Sequence, residues 1–202
     1  GYRVQDFLFR KIPTSLSLGA LSVAFAALVG IALGLIAAFK PNSWRDTTAM
    51  SFALLGICLP SFVLGPLLIL FFSIHLKWLP AIGLKYPSSY ILPVITLSFI
   101  YLGNIARMTR GSMLEIRQQN YMRTAQAKGL SNFKIYIVHG LRNAGIPILS
   151  YLGPVFAAAM SGTLVIEVLF HINGVGRLFL DSVINRDDAL MLGSVIFYAV
   201  LV

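Results

Sequence analysis

The chain has 202 residues, with 16 Lys or Arg against seven Asp or Glu and a formal net charge of +9. Hydrophobic residues make up 57% of it and charged residues 11%, with a mean hydropathy of +0.82. Soluble domains carry about 25% charged residues, so an ordinary soluble domain is excluded. The basic excess requires no nucleic acid, because membrane topology and anionic lipid account for it.

The charges are confined to a few places. Ile12–Phe39, Thr47–Ile74, Tyr86–Ala106, Asn143–Ile166 and Ala189–Val202 contain none. A spanning helix needs about 20 mainly apolar residues, which the first four runs supply, while the fifth ends with the chain. The expected fold is therefore an all-α, polytopic helical membrane protein with five spans, the last truncated. Because the chain starts at Gly1 without Met and stops inside an apolar run, a fragment of a longer protein is expected. No secretory signal peptide is visible, since the run after Arg3, Arg10 and Lys11 is too long for one. Cys58 lies within an apolar run, can form no internal disulfide, and reads as an inert thiol.

In chain order, Gly1–Lys11 is amphipathic and reads as an interfacial piece that enters the first span, about Ser15–Phe39, through Pro13 and Thr14. That span carries Gly30 and Gly34, a GxxxG spacing that lets another helix approach closely. Pro41 stops the helix in a short turn, and Trp44 suits the headgroup level. The second span, about Thr48–Ile74, contains Pro60 and Pro66, and a kink is expected there. Trp78 and Tyr86 anchor the following loop, and the third span covers about Tyr90–Ala106. The fourth covers about Ile146–Leu169 with Pro147 and Pro154, and a loop with Gly174-Val-Gly176 as a turn leads to the fifth.

Alternating crossings put Lys40, Arg45 and the basic residues between Arg107 and Arg142 on one side. Arg3, Arg10, Lys11, Lys77, Lys85, Arg177 and Arg186 fall on the other. The first side holds nine cations and the second seven, which makes the Arg107–Arg142 side cytoplasmic by the positive-inside rule.

That polar stretch is the longest interruption in the chain. Gly111–Gln119 extends the third helix out of the membrane, with Arg107 and Arg110 near the headgroups. Asn120 is a suitable N-cap for a short helix, Tyr121–Lys128, and Gly129 suits the position just past its end. Ser131 then caps a further helix containing Phe133, Ile135 and Tyr136. Small residues (Ala125, Ala127, Gly129) stand beside long cations (Arg123, Lys128). Such a surface fits close approach to an acidic partner, while the simpler reading is a lipid-anchored amphipathic loop.

Arg123-Thr-Ala-Gln-Ala-Lys-Gly-Leu130, followed by His139-Gly-Leu-Arg-Asn143 and Pro147, resembles the cytoplasmic signature of binding-protein-dependent ABC importer permeases. The family pattern is Glu-Ala-Ala, three residues, Gly, nine residues, then Ile-x-Leu-Pro. Ala125, Gly129 and Leu141 fit it, while Arg123, Thr124, His139 and Arg142 depart from it in the manner of the oligopeptide/dipeptide branch, first permease subunit. Ala106–Glu115, Ser161–Glu167, Gly174–Arg177 and Asn185–Asp187 also resemble that branch, so the likeness extends over the whole chain.

The resemblance implies a type I ABC importer transmembrane domain over 1–202, with a coupling segment at about 107–145. It implies a bacterial cytoplasmic-membrane location, a second homologous permease, two cytoplasmic ATPases and an extracytoplasmic substrate-binding protein. ATP and Mg would bind the ATPases, and this chain would hold no cofactor. Asn120, Tyr121, Arg123, Thr124, Ala125, Lys128 and Gly129 would form the ATPase-coupling helix. The branch's substrates include di- and oligopeptides, nickel chelates and glutathione.

No catalytic or metal-binding set stands out. There is no Gly-Lys pair for a phosphate loop, and His75, His139 and His171 form no HExxH pair. Glu167 is the one acid at the edge of a span and reads as reaching water at the external end of the fourth helix. With Arg177 and Asp187 it is a candidate for an external gate or binding-protein contact. A secondary transporter, the rival reading, usually holds several ionisable residues within its spans.

Overall fold

The first apolar run forms one uninterrupted helix, α1 (Val4–Phe39), in the computed structural model, which describes residues 4–131, 134–161 and 163–201. The amphipathic start is thus not a separate interfacial piece. Pro13 lies inside α1 and removes one backbone hydrogen bond without ending the helix. A tight turn comes next, in which Asn42 takes a left-handed backbone (φ 59°) and the Ser43 hydroxyl donates to the Lys40 carbonyl at 2.6 Å.

The second run is broken rather than kinked. Helix α2 (Trp44–Cys58) stops, Pro60 sits extended (φ −60°, ψ 143°), and a new helix, α3 (Ser61–Leu68), begins and runs on into π-helical Ile69–His75. The residue before a proline is disfavoured from the helical region, which places the break. Pro66, by contrast, lies within α3 and does not end it.

A 3₁₀ turn at Pro87–Tyr90 opens α4 (Ile91–Arg117), which continues well past the apolar run. Helix α5 (Asn120–Ala127) and π-helical Ile135–Gly140 come after it, and then α6 (Leu141–Ser161), which contains both Pro147 and Pro154. The chain finishes with α7 (Thr163–Leu169), α8 (Val175–Ile184) and α9 (Asp188–Leu201). The fourth apolar run therefore begins its helix at Leu141, and the expected loop before α9 contains a helix of its own. Three stretches, Val4–Phe39, Pro87–Arg117 and Leu141–Met160, are long and apolar enough to cross a membrane alone. The broken α2–α3 pair makes four if it counts as one span, and α9 is shorter than a full span. No strand occurs among the described residues.

The chain divides into two compact units. One comprises Gly1–Phe25, Leu59–Ser98 and Pro154–Val202, and the other Ala26–Cys58 and Phe99–Gly153. In the second unit, Ala38, Met113, Tyr136, Ala144 and Ile148 form a buried cluster, with the Phe39 and Tyr136 rings 4.6 Å apart. The GxxxG glycines lie there too. A Cβ on Gly30 would meet the Leu102 carbonyl and Ile105, and one on Gly34 would strike Thr109 and the Ala106 carbonyl. Only glycine lets α1 pack this closely on α4. In the first unit the core gathers Leu18, Met160, Ile166, Phe170 and Ile172.

Candidate functional site

Helix α5 is held at both ends by backbone geometry. Gln119 is extended (φ −70°, ψ 146°), and its carbonyl accepts from the Met122 amide at 3.1 Å. Asn120 is therefore the first helical residue and not the cap, and no side chain caps this end. The Thr124 hydroxyl instead donates to the Asn120 carbonyl at 3.0 Å, satisfying itself within the helix.

At the other end, the Leu130 amide donates to the Ala125 carbonyl at 3.3 Å and the Gly129 amide to the Gln126 carbonyl at 2.9 Å. With Gly129 at φ 75°, this is a Schellman stop. Leu130 completes it by packing against the cluster that contains Ala125. The position read from the sequence for Gly129 is the one it occupies.

One face of α5 is seated and the other is open. Met122 (1% exposed) and Ala125 (8%), three residues apart, pack on Ile135 with Ile116 and Leu130 around them. Ala125 thus supports the helix from beneath and is not part of its outer surface. Asn120, Tyr121, Arg123, Thr124, Gln126, Ala127, Lys128 and Gly129 are exposed. The Tyr121 hydroxyl accepts from the Asn143 amide nitrogen at 2.8 Å, which ties α5 to the start of α6. Arg123 and Lys128 have no carboxylate within ion-pair distance among the described residues. Ser131 does act as a cap, its hydroxyl oxygen accepting from the Lys134 amide at 3.4 Å just ahead of the π-helical turn. Phe133, expected in that helix, lies outside the described residues.

A feature of the same unit that the sequence did not disclose joins the α1–α2 turn to α4. Both oxygens of Asp46 accept from the Arg110 guanidinium, Nε and Nη2, at 2.7 Å each, and the Asn42 amide adds a third bond at 2.8 Å. Asp46 is 4% exposed. Arg110 is therefore a clamp on the turn rather than a free headgroup ligand. The two residues lie 64 positions apart, so no local pattern could have paired them.

The other unit holds the remaining candidates, and it does not assemble them as a charged surface. Glu167 is 0% exposed, so the expectation that it reaches water is overturned. The Ser15 hydroxyl donates to Oε1 at 2.6 Å, and the Arg177 amide donates to Oε2 at 2.9 Å. Ser15 in turn accepts from the Val175 amide at 2.9 Å. The carboxyl group thus closes the N-terminus of α8, where free amides and the helix dipole favour an acceptor. A Cβ at Gly174 would collide with this carboxyl, so that glycine begins α8 instead of making a loop turn. Arg177 meets Glu167 through its backbone, while its side chain lies 3.9 Å from Asp181. Asp187 stands apart from both and accepts from the Leu190 amide at 3.1 Å as the cap of α9.

Residues 30–202 match the family described as binding-protein-dependent transport system inner membrane component. The oligopeptide transport system permease protein OppB of Salmonella typhimurium is 42% identical over 205 residues, covering 99% of this chain and 66% of that protein. The dipeptide transport system permease protein DppB of Bacillus subtilis is 43% identical over 198 residues, covering 98% and 64%. The chain thus spans just under two-thirds of the length of these relatives. Among solved structures, the fold matches the inward-facing MetNI methionine ABC transporter with a TM-score of 0.75 at 17% identity, over 98% of this chain and 92% of that one. An amino acid ABC transporter crystallised with histidines matches with a TM-score of 0.74 at 18% identity, over 98% and 88%. With most of its length inside the family match and its helices arranged as in ABC transporter chains, the protein belongs to the binding-protein-dependent transport system inner membrane components.

Proposed function

We propose that this chain is pore-forming permease sequence of an ATP-driven importer of di- or oligopeptides in a bacterial cytoplasmic membrane, and that α5 is the helix received by one of its two cytoplasmic ATPases. The observation that carries this reading is the division of α5 into a face seated by Met122 and Ala125 and an exposed face on which Arg123 and Lys128 have no ion-pair partner among the described residues, with Thr124 exposed beside them. A helix fixed to its own permease on one side and open on the other transmits a push as a rigid body. The cations suit an acidic groove, and Gly129 ends the helix without a side chain in the way. ATP and Mg would be held by the ATPases, a second homologous permease would complete the pore, and a substrate-binding protein would deliver cargo from outside. The peptide assignment rests on the names of the relatives, with nickel and glutathione as alternatives within the branch.

The test is transport by the full-length permease assembled with its partner subunits. Arg123→Glu with Lys128→Glu is expected to abolish ATP-dependent peptide import while leaving membrane insertion intact. Normal import by that variant refutes the coupling role. Growth of a deletion strain on defined peptides, against nickel-dependent enzyme activity in the same strain, decides the substrate.

A further inference from the structure

Beside α5, within the same unit, lies a cleft of about 290 Å3 that transport by itself does not explain. Phe39 and the buried Tyr136 line it, and Lys40, Arg45, Arg117 and Gln126 supply its polar edge. Three cations around one small cavity repel each other unless something answers them. None has a carboxylate within ion-pair distance among the described residues. Asp46, beside Arg45 in sequence, is unavailable, because Arg110 and the Asn42 amide occupy both its oxygens, and Glu115, two residues before Arg117, forms no ion pair with it. The charge is therefore left for a ligand.

A second, apolar groove shares Ile36 and Arg45 with the first as lining residues. Its walls are Leu33, Trp44, Ala49 and Phe52. Trp44 is 71% exposed, with the Arg45 guanidinium 5.8 Å from its ring centre, so the indole borders the groove and the cation beside it borders both spaces. This is where α1 ends its apolar run, the depth at which a headgroup meets acyl chains. A phosphate fits the cationic cleft, and a fatty chain fits the groove beside it. We propose that these two spaces together bind one anionic glycerophospholipid, its phosphate among Lys40, Arg45 and Arg117 and an acyl chain along Leu33 and Phe52. Because Gln126 belongs to α5, the lipid would touch the helix that moves, and membrane composition would bear on coupling.

The experiment uses the full-length permease with its partner subunits in phosphatidylcholine nanodiscs with and without phosphatidylglycerol, read by native mass spectrometry. The wild type is expected to retain phosphatidylglycerol at collision energies that strip phosphatidylcholine. Lys40→Gln, Arg45→Gln or Arg117→Gln should each lower retention by about fivefold, the factor one basic residue is worth at an anionic surface. Arg142→Gln, outside the cleft, should leave it unchanged. Inorganic phosphate and glycerol 3-phosphate should fail to displace the lipid, because neither fills the groove. Equal retention by the cleft variants and the wild type overturns the proposal. So does full displacement by the soluble phosphates, which would make this a site for a free anion. Cross-linking of Arg45 or Arg117 positions to another subunit in place of lipid retention overturns it as well.

Discussion

Each unit of the molecule buries one carboxyl group, and the two are satisfied in opposite ways. Asp46 is answered by a cation, the bidentate Arg110, in a geometry that is both charge-neutral and directional. Glu167 has no cation within ion-pair distance among the described residues and is answered by a hydroxyl and the free amides that open α8. The first arrangement ties a tight turn to a long helix, and the second ties a short helix to α1 and α7. An ion pair is vulnerable from either end, because removing one charge strands the other. A carboxyl held by dipoles strands no opposite charge when it is neutralised, and only hydrogen bonds are weakened.

That contrast is open to direct measurement on purified full-length protein. The largest effect should come from Arg110→Ala, which leaves Asp46 buried without a countercharge and should cost on the order of 3 kcal/mol, seen as a lowered midpoint of thermal unfolding. Adding Asp46→Asn to that variant should recover part of the loss, and a double variant no better than the single would break the ion-pair reading. Glu167→Ala orphans the Ser15 hydroxyl and the Arg177 amide, for about 2 kcal/mol, while Glu167→Gln, which keeps acceptor and shape, should cost nearer ~1 kcal/mol. If Glu167→Gln proves as damaging as Arg110→Ala, then Glu167 is held by charge after all and the contrast fails. Gly129→Ala forces a side chain into left-handed backbone and should cost about 1 kcal/mol, read as faster amide exchange across α5. Smallest is Arg177→Ala, whose exposed pair with Asp181 should change stability by less than about 0.5 kcal/mol.

Legibility in the sequence divides along the same line between local and distant. The stop at Gly129 is readable because a Schellman ending involves only a few consecutive residues, and the close approach at Gly30 and Gly34 because the spacing itself is the device. Pro60 reveals where a helix gives way, but a proline fixes its own φ and not the angle at which the next helix leaves. Helix α8 is hidden by Gly174 and Gly176, which look like a turn until Glu167 and Ser15 are seen capping the helix behind them. Glu167 looks wet because hydropathy places it at the end of an apolar run, and only the fold covers it. Ala125 reads as surface by its size, whereas the three-residue spacing to Met122 puts it on the buried face.

The docking of α5 is tested most directly by site-specific cross-linking in the assembled transporter. Cys58, which is exposed, is replaced by Ser, and single cysteines are placed at Thr124, Ala127 and Ala125 of the full-length permease co-expressed with its ATPase subunits. With each cysteine alkylated by a benzophenone maleimide, the open face predicts light-induced adducts to an ATPase from positions 124 and 127, altered by nucleotide, and none from 125 beneath the helix. Absence of ATPase adducts at 124 and 127, or adducts from 125 alone, would contradict it.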